Sequence, residues 1–182
     1  GMPPQFREWL ERQFGDQQRG RVQPRRSLGS GFFIDAEGHI VTNNHVVAGA
    51  DEITVGLSDG TEYDARIVGL DEQTDLALLK VDADVEFPFV TLEDDANYRV
   101  GDWVVAVGNP FGLGGTATAG IISAIGRPIG NATYNDFIQV DAPINRGNSG
   151  GPTFDLSGNV IGVNSQIFSP TGGNVGIGFA IP

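Results

Sequence analysis

The chain contains no cysteine and only two histidines, His39 and His45. The first absence excludes a thiol nucleophile, thiolate metal ligation and disulfides, and so few imidazoles leave no basis for a multi-histidine metal centre. Any chemistry falls to oxygen groups and imidazole, with no metal or cofactor expected. The lack of cysteine suits any compartment. No apolar run approaches the roughly 20 residues that span a bilayer, and neither a transmembrane segment nor a signal peptide is expected. Charged residues are sparse, at 19%, and unbalanced, giving a net charge of −12. The first thirty residues carry six Arg against three acids, whereas the rest carries five basic groups against twenty acidic ones. Such a body repels phosphate, which argues against a nucleic-acid partner. Fourteen of the acids lie between Asp51 and Asp95 and read as a solvated acidic face.

What is present is apolar residues, at 40%, and turn formers, with 27 Gly and 10 Pro in 182 residues. That composition suits many short strands joined by tight turns. Phe6, Trp9, Leu10 and Phe14 recur at helical spacing, which predicts a short amphipathic helix over 4–14, followed by a polar, Arg-rich linker over 15–27. From residue 28 the pattern becomes eleven β-branched runs: GSGFFI, HIVTNNHVV, EITVGL, YDARIVGL, LALLKV, WVVAVGN, TATAGIISAIG, DFIQVDAPI, PTFDL, NVIGVNSQIF and GIGFAIP. Hairpin-like turns are expected at Asp35–Gly38, Ser58–Gly60 and Leu156–Gly158. The polar stretch EDDANYRVGD (93–102) divides the strands into two similar sets, predicting two small barrels over 28–95 and 96–182.

The most chemical local pattern is Gly147-Asn148-Ser149-Gly150-Gly151. A serine among glycines can sit in a turn tight enough to aim two backbone N–H groups at one point beside its hydroxyl, which an oxyanion site requires. A Gly-rich hairpin with an incidental serine fits the pentapeptide equally well. A serine nucleophile needs an imidazole and a carboxylate. His39 reads as a structural residue leaving a turn, and His45 as the end of an apolar strand that could hold its ring. Asp75 opens the apolar run LALLKV, either as a surface residue at a strand start or as a buried partner for an imidazolium. GNSGG also satisfies the G-x-S-x-G elbow of α/β-hydrolases, but that frame needs serine before acid before histidine and a helix after the serine. Both histidines precede Ser149, and strand-like PTFDL follows it. The order His45, Asp75, Ser149 instead matches the chymotrypsin arrangement on paired barrels.

With these motifs in hand, residues 28–182 closely resemble the HtrA/Deg serine proteases. GSGFFID, IVTNNHVV, TDLALLKV, GDWVVAVGNPFGLGGT, FIQVDAPINRGNSGGPTFD and GGNVGIGFAIP carry the likeness. It implies an all-β, trypsin/chymotrypsin-like double six-stranded β-barrel with a short N-terminal helix. It also implies Ser149 as nucleophile, His45 as general base and then acid, Asp75 as orienting carboxylate, and an oxyanion hole at Gly147, Asn148 and Ser149. Ile144, Ile167 and Ile177 would line the specificity pocket. Pro143 stands where trypsin-type enzymes carry a pocket-floor acid, so cleavage is expected after medium aliphatic residues rather than Lys or Arg. Asn148 replaces the acid that pairs with a new amino terminus in zymogen activation. The implied switch is therefore remodelling of the loops at 126–135, 143–147 and 165–174, with Arg127 as a sensor.

The resemblance further implies an ATP-independent, metal-independent periplasmic endopeptidase acting on unfolded proteins or peptides. Its homotrimer would form through Phe6, Trp9 and Phe14. The expected organisation is a protease domain without the PDZ domains that usually follow in the family. The competing expectation is a chaperone-like binding module of the same fold whose oxyanion hole is collapsed.

Overall fold

The computed structural model describes residues 28–92, 97–109, 115–127, 136–145, 147–167 and 176–182. The proposed N-terminal helix with Phe6, Trp9 and Phe14, the linker to residue 27, and most of the loops at 128–135 and 168–174 lie outside the described residues.

Among the described residues, eleven strands and one helical turn run in the order β1 (Phe32–Phe33), β2 (His39–Asn43), α1 (Asn44–Val47), β3 (Ile53–Gly56), β4 (Glu62–Asp71), β5 (Leu76–Val81), β6 (Trp103–Gly108), β7 (Thr116–Arg127), β8 (Phe137–Val140), β9 (Pro152–Phe154), β10 (Val160–Ile167) and β11 (Gly178–Ile181). Each strand falls in one of the expected β-branched runs, with β4 one residue longer than its run at each end and β7 one residue longer at its C-terminal end. The three expected turns join β1 to β2, β3 to β4 and β9 to β10. Each closes on a glycine at positive φ, Gly38, Gly60 and Gly158, where a side chain would be strained.

The strands form two sheets, antiparallel throughout. β6–β11 close into a six-stranded barrel in the order β10-β11-β8-β7-β6-β9, the shape predicted for the second half. The first half is a half-barrel of five strands, β1-β2-β5-β4-β3, rather than a closed six-stranded one. Its edges, β1 and β3, remain unjoined because β1 is only two residues long and pairs with β2 alone.

Strand parity decides which side chains fill which core. Ile138, Val140, Ile161 and Ala180 point into the closed barrel with Val104, Ala106, Ile122, Ala142 and Ile144. Their neighbours Phe137, Val160, Phe179 and Ile181 point outward and meet Phe32, Ile34, Val41 and Leu76 of the first sheet. β11 therefore has both faces covered and is buried along its whole length. Burying one such aliphatic side chain stabilises the fold by about 1.5–3 kcal/mol, so this seam binds the two halves firmly. A third cluster, Ile40, Val47, Ala77, Leu79, Val81 and Phe87, fills the half-barrel, with Phe33 stacked on Phe87 at 4.3 Å between ring centroids.

Candidate active site

His45, Asp75 and Ser149 converge where the half-barrel meets the closed barrel. His45 does not end a strand as the apolar run suggested, because β2 stops at Asn43 and His45 lies on the single turn α1. The cause is tertiary: the Asn44 N–H donates to the Asp75 carbonyl at 3.0 Å, and the Asn43 side-chain amide donates to the same oxygen at 3.0 Å. These bonds pull the chain out of the ladder. They also hold Asp75 at φ 60°, a left-handed conformation that Asp and Asn tolerate better than most residues.

The Asp75 carboxylate is fully engaged. Oδ1 accepts the His45 backbone N–H at 2.9 Å, while Oδ2 lies 2.7 Å from His45 Nδ1 and accepts the Ser165 hydroxyl at 3.0 Å. Partial burial works to raise the Asp75 carboxyl. The hydrogen bonds from the His45 ring, the His45 amide and Ser165 outweigh it and hold the group below the ordinary aspartate range. An ionised carboxylate at Nδ1 keeps the ring proton there and leaves Nε2 as the basic nitrogen.

Ser165 joins this pair to Ser149. The Ser149 hydroxyl donates to the Ser165 carbonyl at 2.9 Å, so one residue touches both the acid and the serine. The sequence reading missed Ser165. Three polar residues in a row, Asn164, Ser165 and Gln166, interrupt an otherwise apolar strand, and that is the signal that could have found it. Asn164 is fully buried. Its side chain accepts the Thr153 hydroxyl at 2.6 Å and donates to the Val107 carbonyl at 3.1 Å, while its backbone bonds Gly150 and Gly151 at 2.8 Å each.

The loop before Ser149 is built on glycine. Gly147 sits at φ 101° and Gly150 at φ 86°. Among the described residues, neither the Gly147 nor the Ser149 N–H has an acceptor, whereas the intervening Asn148 N–H donates to the Asn145 carbonyl at 3.0 Å. Two unengaged amides beside a hydroxyl are the equipment an oxyanion needs. The Asn148 side chain is buried with Oδ1 unpartnered, against Gly108, where an added Cβ would come within 2.7 Å of that oxygen.

The remaining expected residues divide between locations. Ile144 is buried in the barrel core beside Gly178, and Ile177 packs against the seam between the halves. Ile167 and Arg127 end β10 and β7, and Arg127 pairs with Phe137 in the ladder. His39 is the turn residue expected of it: Nδ1 lies 2.6 Å from Asp35 Oδ2, and Asp35 Oδ1 accepts the amides of residues 37–39. Asp35, Glu37 and His39 form the one group among the described residues with ligand atoms close enough for a metal, within 4.8 Å of one another. The bonds within the turn already occupy both Asp35 oxygens.

A closed antiparallel barrel beside a half-barrel, with Asp75 of the one sheet bonded to His45 and linked through Ser165 to Ser149 of the other, is the architecture of a trypsin-like peptidase domain. The chain belongs to the trypsin-like peptidase domain family, whose model matches residues 29–163. It is also homologous over most of its length to DegP-like and HtrA-type proteases. It is 63% identical over 174 residues to a Rhizobium meliloti protein named "Probable periplasmic serine endoprotease DegP-like", covering 96% of this chain and 34% of that one. A protein of the same name from Pseudomonas fulva is 53% identical, covering 100% and 39%. The chain thus spans just over a third of the length of these curated relatives. Among solved structures it is similar to the HtrA-type protease AlgW with a decapeptide, with a TM-score of 0.80 at 56% identity, covering 85% of this chain and 48% of that one. Among the described residues, no helix is long and apolar enough to cross a membrane.

Proposed function

We propose that the chain is a serine endopeptidase in which Ser149 attacks the substrate carbonyl, His45 accepts and returns the proton, and Asp75 orients the imidazole. The observation that carries this reading is the chain of contacts from His45 Nδ1 through the Asp75 carboxylate and Ser165 to the Ser149 hydroxyl. For attack, Ser149 Oγ turns from the Ser165 carbonyl toward Nε2 and gives up its proton as the C–O bond forms. The tetrahedral oxyanion then takes hydrogen bonds from the Gly147 and Ser149 amides. The imidazolium protonates the departing amine, and water completes hydrolysis of the acyl-enzyme by the same route in reverse.

The finer features of this reading follow the likeness to the HtrA proteases. Cleavage falls after medium aliphatic residues, with Ile144, Ile167 and Ile177 shaping the pocket; the exposed Pro143 where an acid would bind Lys or Arg supports this. Substrates are unfolded polypeptides cut without ATP, and the word "periplasmic" in the relatives' names supports a periplasmic setting. The chain divides at residues 95 and 96, Arg127 relays activation, and Phe6, Trp9 and Phe14 pack in a homotrimer. The binding-module alternative is not favoured.

Replacing Ser149 with Ala tests the central claim. Turnover of casein falls by roughly 10⁶-fold when such a triad acts as a unit, and a fluorophosphonate labels the parent chain but not the variant. Undiminished casein cleavage by the variant refutes the assignment.

A further inference from the structure

Ser30, at the start of the half-barrel, makes contacts that the acid–base pair does not explain. Its hydroxyl donates to the Gly147 carbonyl at 2.6 Å and accepts the Asn109 amide at 2.7 Å. Its N–H donates to the Ser149 carbonyl at 2.8 Å, and its carbonyl accepts the Thr42 hydroxyl at 2.6 Å. Every polar atom of Ser30 is therefore in use, and two of its bonds close on the carbonyls that flank Asn148. The glycines on either side permit this approach: a Cβ on Gly29 would overlap Val46, and one on Gly31 would lie 2.9 Å from the Ile40 side chain and 3.0 Å from the Val41 carbonyl. From the far side, a Cβ on Gly150 would overlap the Ser30 carbonyl.

Peptide planarity turns these bonds into control over the oxyanion donors. Anchoring the Gly147 carbonyl fixes the Gly147–Asn148 plane and, with it, the Asn148 N–H that donates to Asn145. The Gly147 N–H is separated from that anchor only by the two dihedrals of a glycine at φ 101°, whose backbone is the most easily turned of any residue. Once the carbonyl is released, the plane keeps its bond from the Asn148 N–H to the Asn145 carbonyl but loses its tie to the first half of the molecule, and the glycine's own dihedrals offer little resistance to rotation. We infer that Ser30 is a positioning residue, a clamp from the first half of the molecule that keeps the Gly147 N–H aimed at the developing oxyanion. This inference rests on the protease reading above.

The test uses the whole chain with Ser30→Ala and Ser30→Thr. It measures kcat and KM separately on a peptide p-nitroanilide ending in valine, the rate of inactivation by a fluorophosphonate, and thermal melting. Deleting an oxyanion donor outright costs about 10²–10³ in kcat, so loosening one should cost roughly 10–10²-fold, with KM changed by no more than about twofold. Inactivation slows by the same factor, because the phosphonyl oxygen uses the same donors. Threonine restores the hydroxyl and recovers most of the rate. An alanine variant with undiminished kcat overturns the clamp, as does a loss that threonine does not recover. If the parent chain itself is not labelled, the protease reading fails; if the parent and alanine proteins are labelled equally fast, the clamp alone fails.

Discussion

Replacing Asp75 with Asn separates orientation of the imidazole from stability of the fold. The backbone at this position sits at φ 60°, which Asn accepts as readily as Asp, so the carbonyl that receives the Asn44 amide and the Asn43 side chain stays in place. Only the carboxylate changes, and it currently accepts from three donors: the His45 amide, the His45 ring and the Ser165 hydroxyl. A carboxamide has one acceptor oxygen. If that oxygen keeps the His45 amide, the NH₂ faces Nδ1 and forces the ring proton onto Nε2, where it blocks acceptance of the serine proton. The charge that stabilises the imidazolium is lost as well. We expect kcat to fall by about 10⁴-fold, the scale of a wrong-tautomer triad, or about 5 kcal/mol in the barrier. The partly exposed site loses on the order of 1–3 kcal/mol of stability, leaving the chain folded. Steady-state hydrolysis of a peptide p-nitroanilide and a thermal melt measure the two quantities side by side. A folded variant retaining more than about a tenth of the parent kcat would refute the orienting role.

Other expectations follow from the same coordinates. Gly150→Ala places a Cβ into the Ser30 carbonyl and the Thr42 hydroxyl at φ 86°, combining backbone strain with overpacking. A cost on the order of 3 kcal/mol or more should appear as a clearly lower melting temperature, and an unchanged one would contradict the packing described. Asn164→Leu strands the buried Thr153 hydroxyl and removes the bond to Val107, costing about 3 kcal/mol, or roughly 6–12 °C. Adding Thr153→Val to that variant should cost less than adding it to the parent, and strict additivity in the double-mutant cycle would rule out the coupling. The Asp35 carboxyl is held below the ordinary range, first by the His39 backbone N–H. Because the folded-state value is depressed, its contribution to stability is present above the ordinary aspartate range and fades as pH falls through the depressed value. The melting-temperature gap between the parent and Asp35→Asn should therefore narrow in acid, and a gap constant with pH would count against it.

The strands were legible in the sequence because short apolar runs rich in β-branched residues and bounded by turn formers mark strands, and LALLKV and WVVAVG are two such runs. The chain order of His45, Asp75 and Ser149 was legible too, since order survives folding. What escaped was whatever depends on apposition across the seam. Val46 and Val47 prolong the apparent strand of β2, and only the distant Asp75 carbonyl explains why the chain turns into α1 instead. Ser165 and Ser30 are ordinary strand or turn serines until the other half of the molecule supplies their partners. The open first sheet was equally hidden, because nothing in the run GSGFFI shows that β1 is only two residues long and pairs with β2 alone.

The seam packed by Phe32, Phe137, Phe179 and Ile181 also imposes an order of events during biogenesis. The histidine and the aspartate arrive from one side of it and the serine from the other, so a nascent copy with only one sheet formed has no reactive centre at all. On the protease reading proposed above, such a copy would be harmless to its half-made neighbours until the last apolar join is closed.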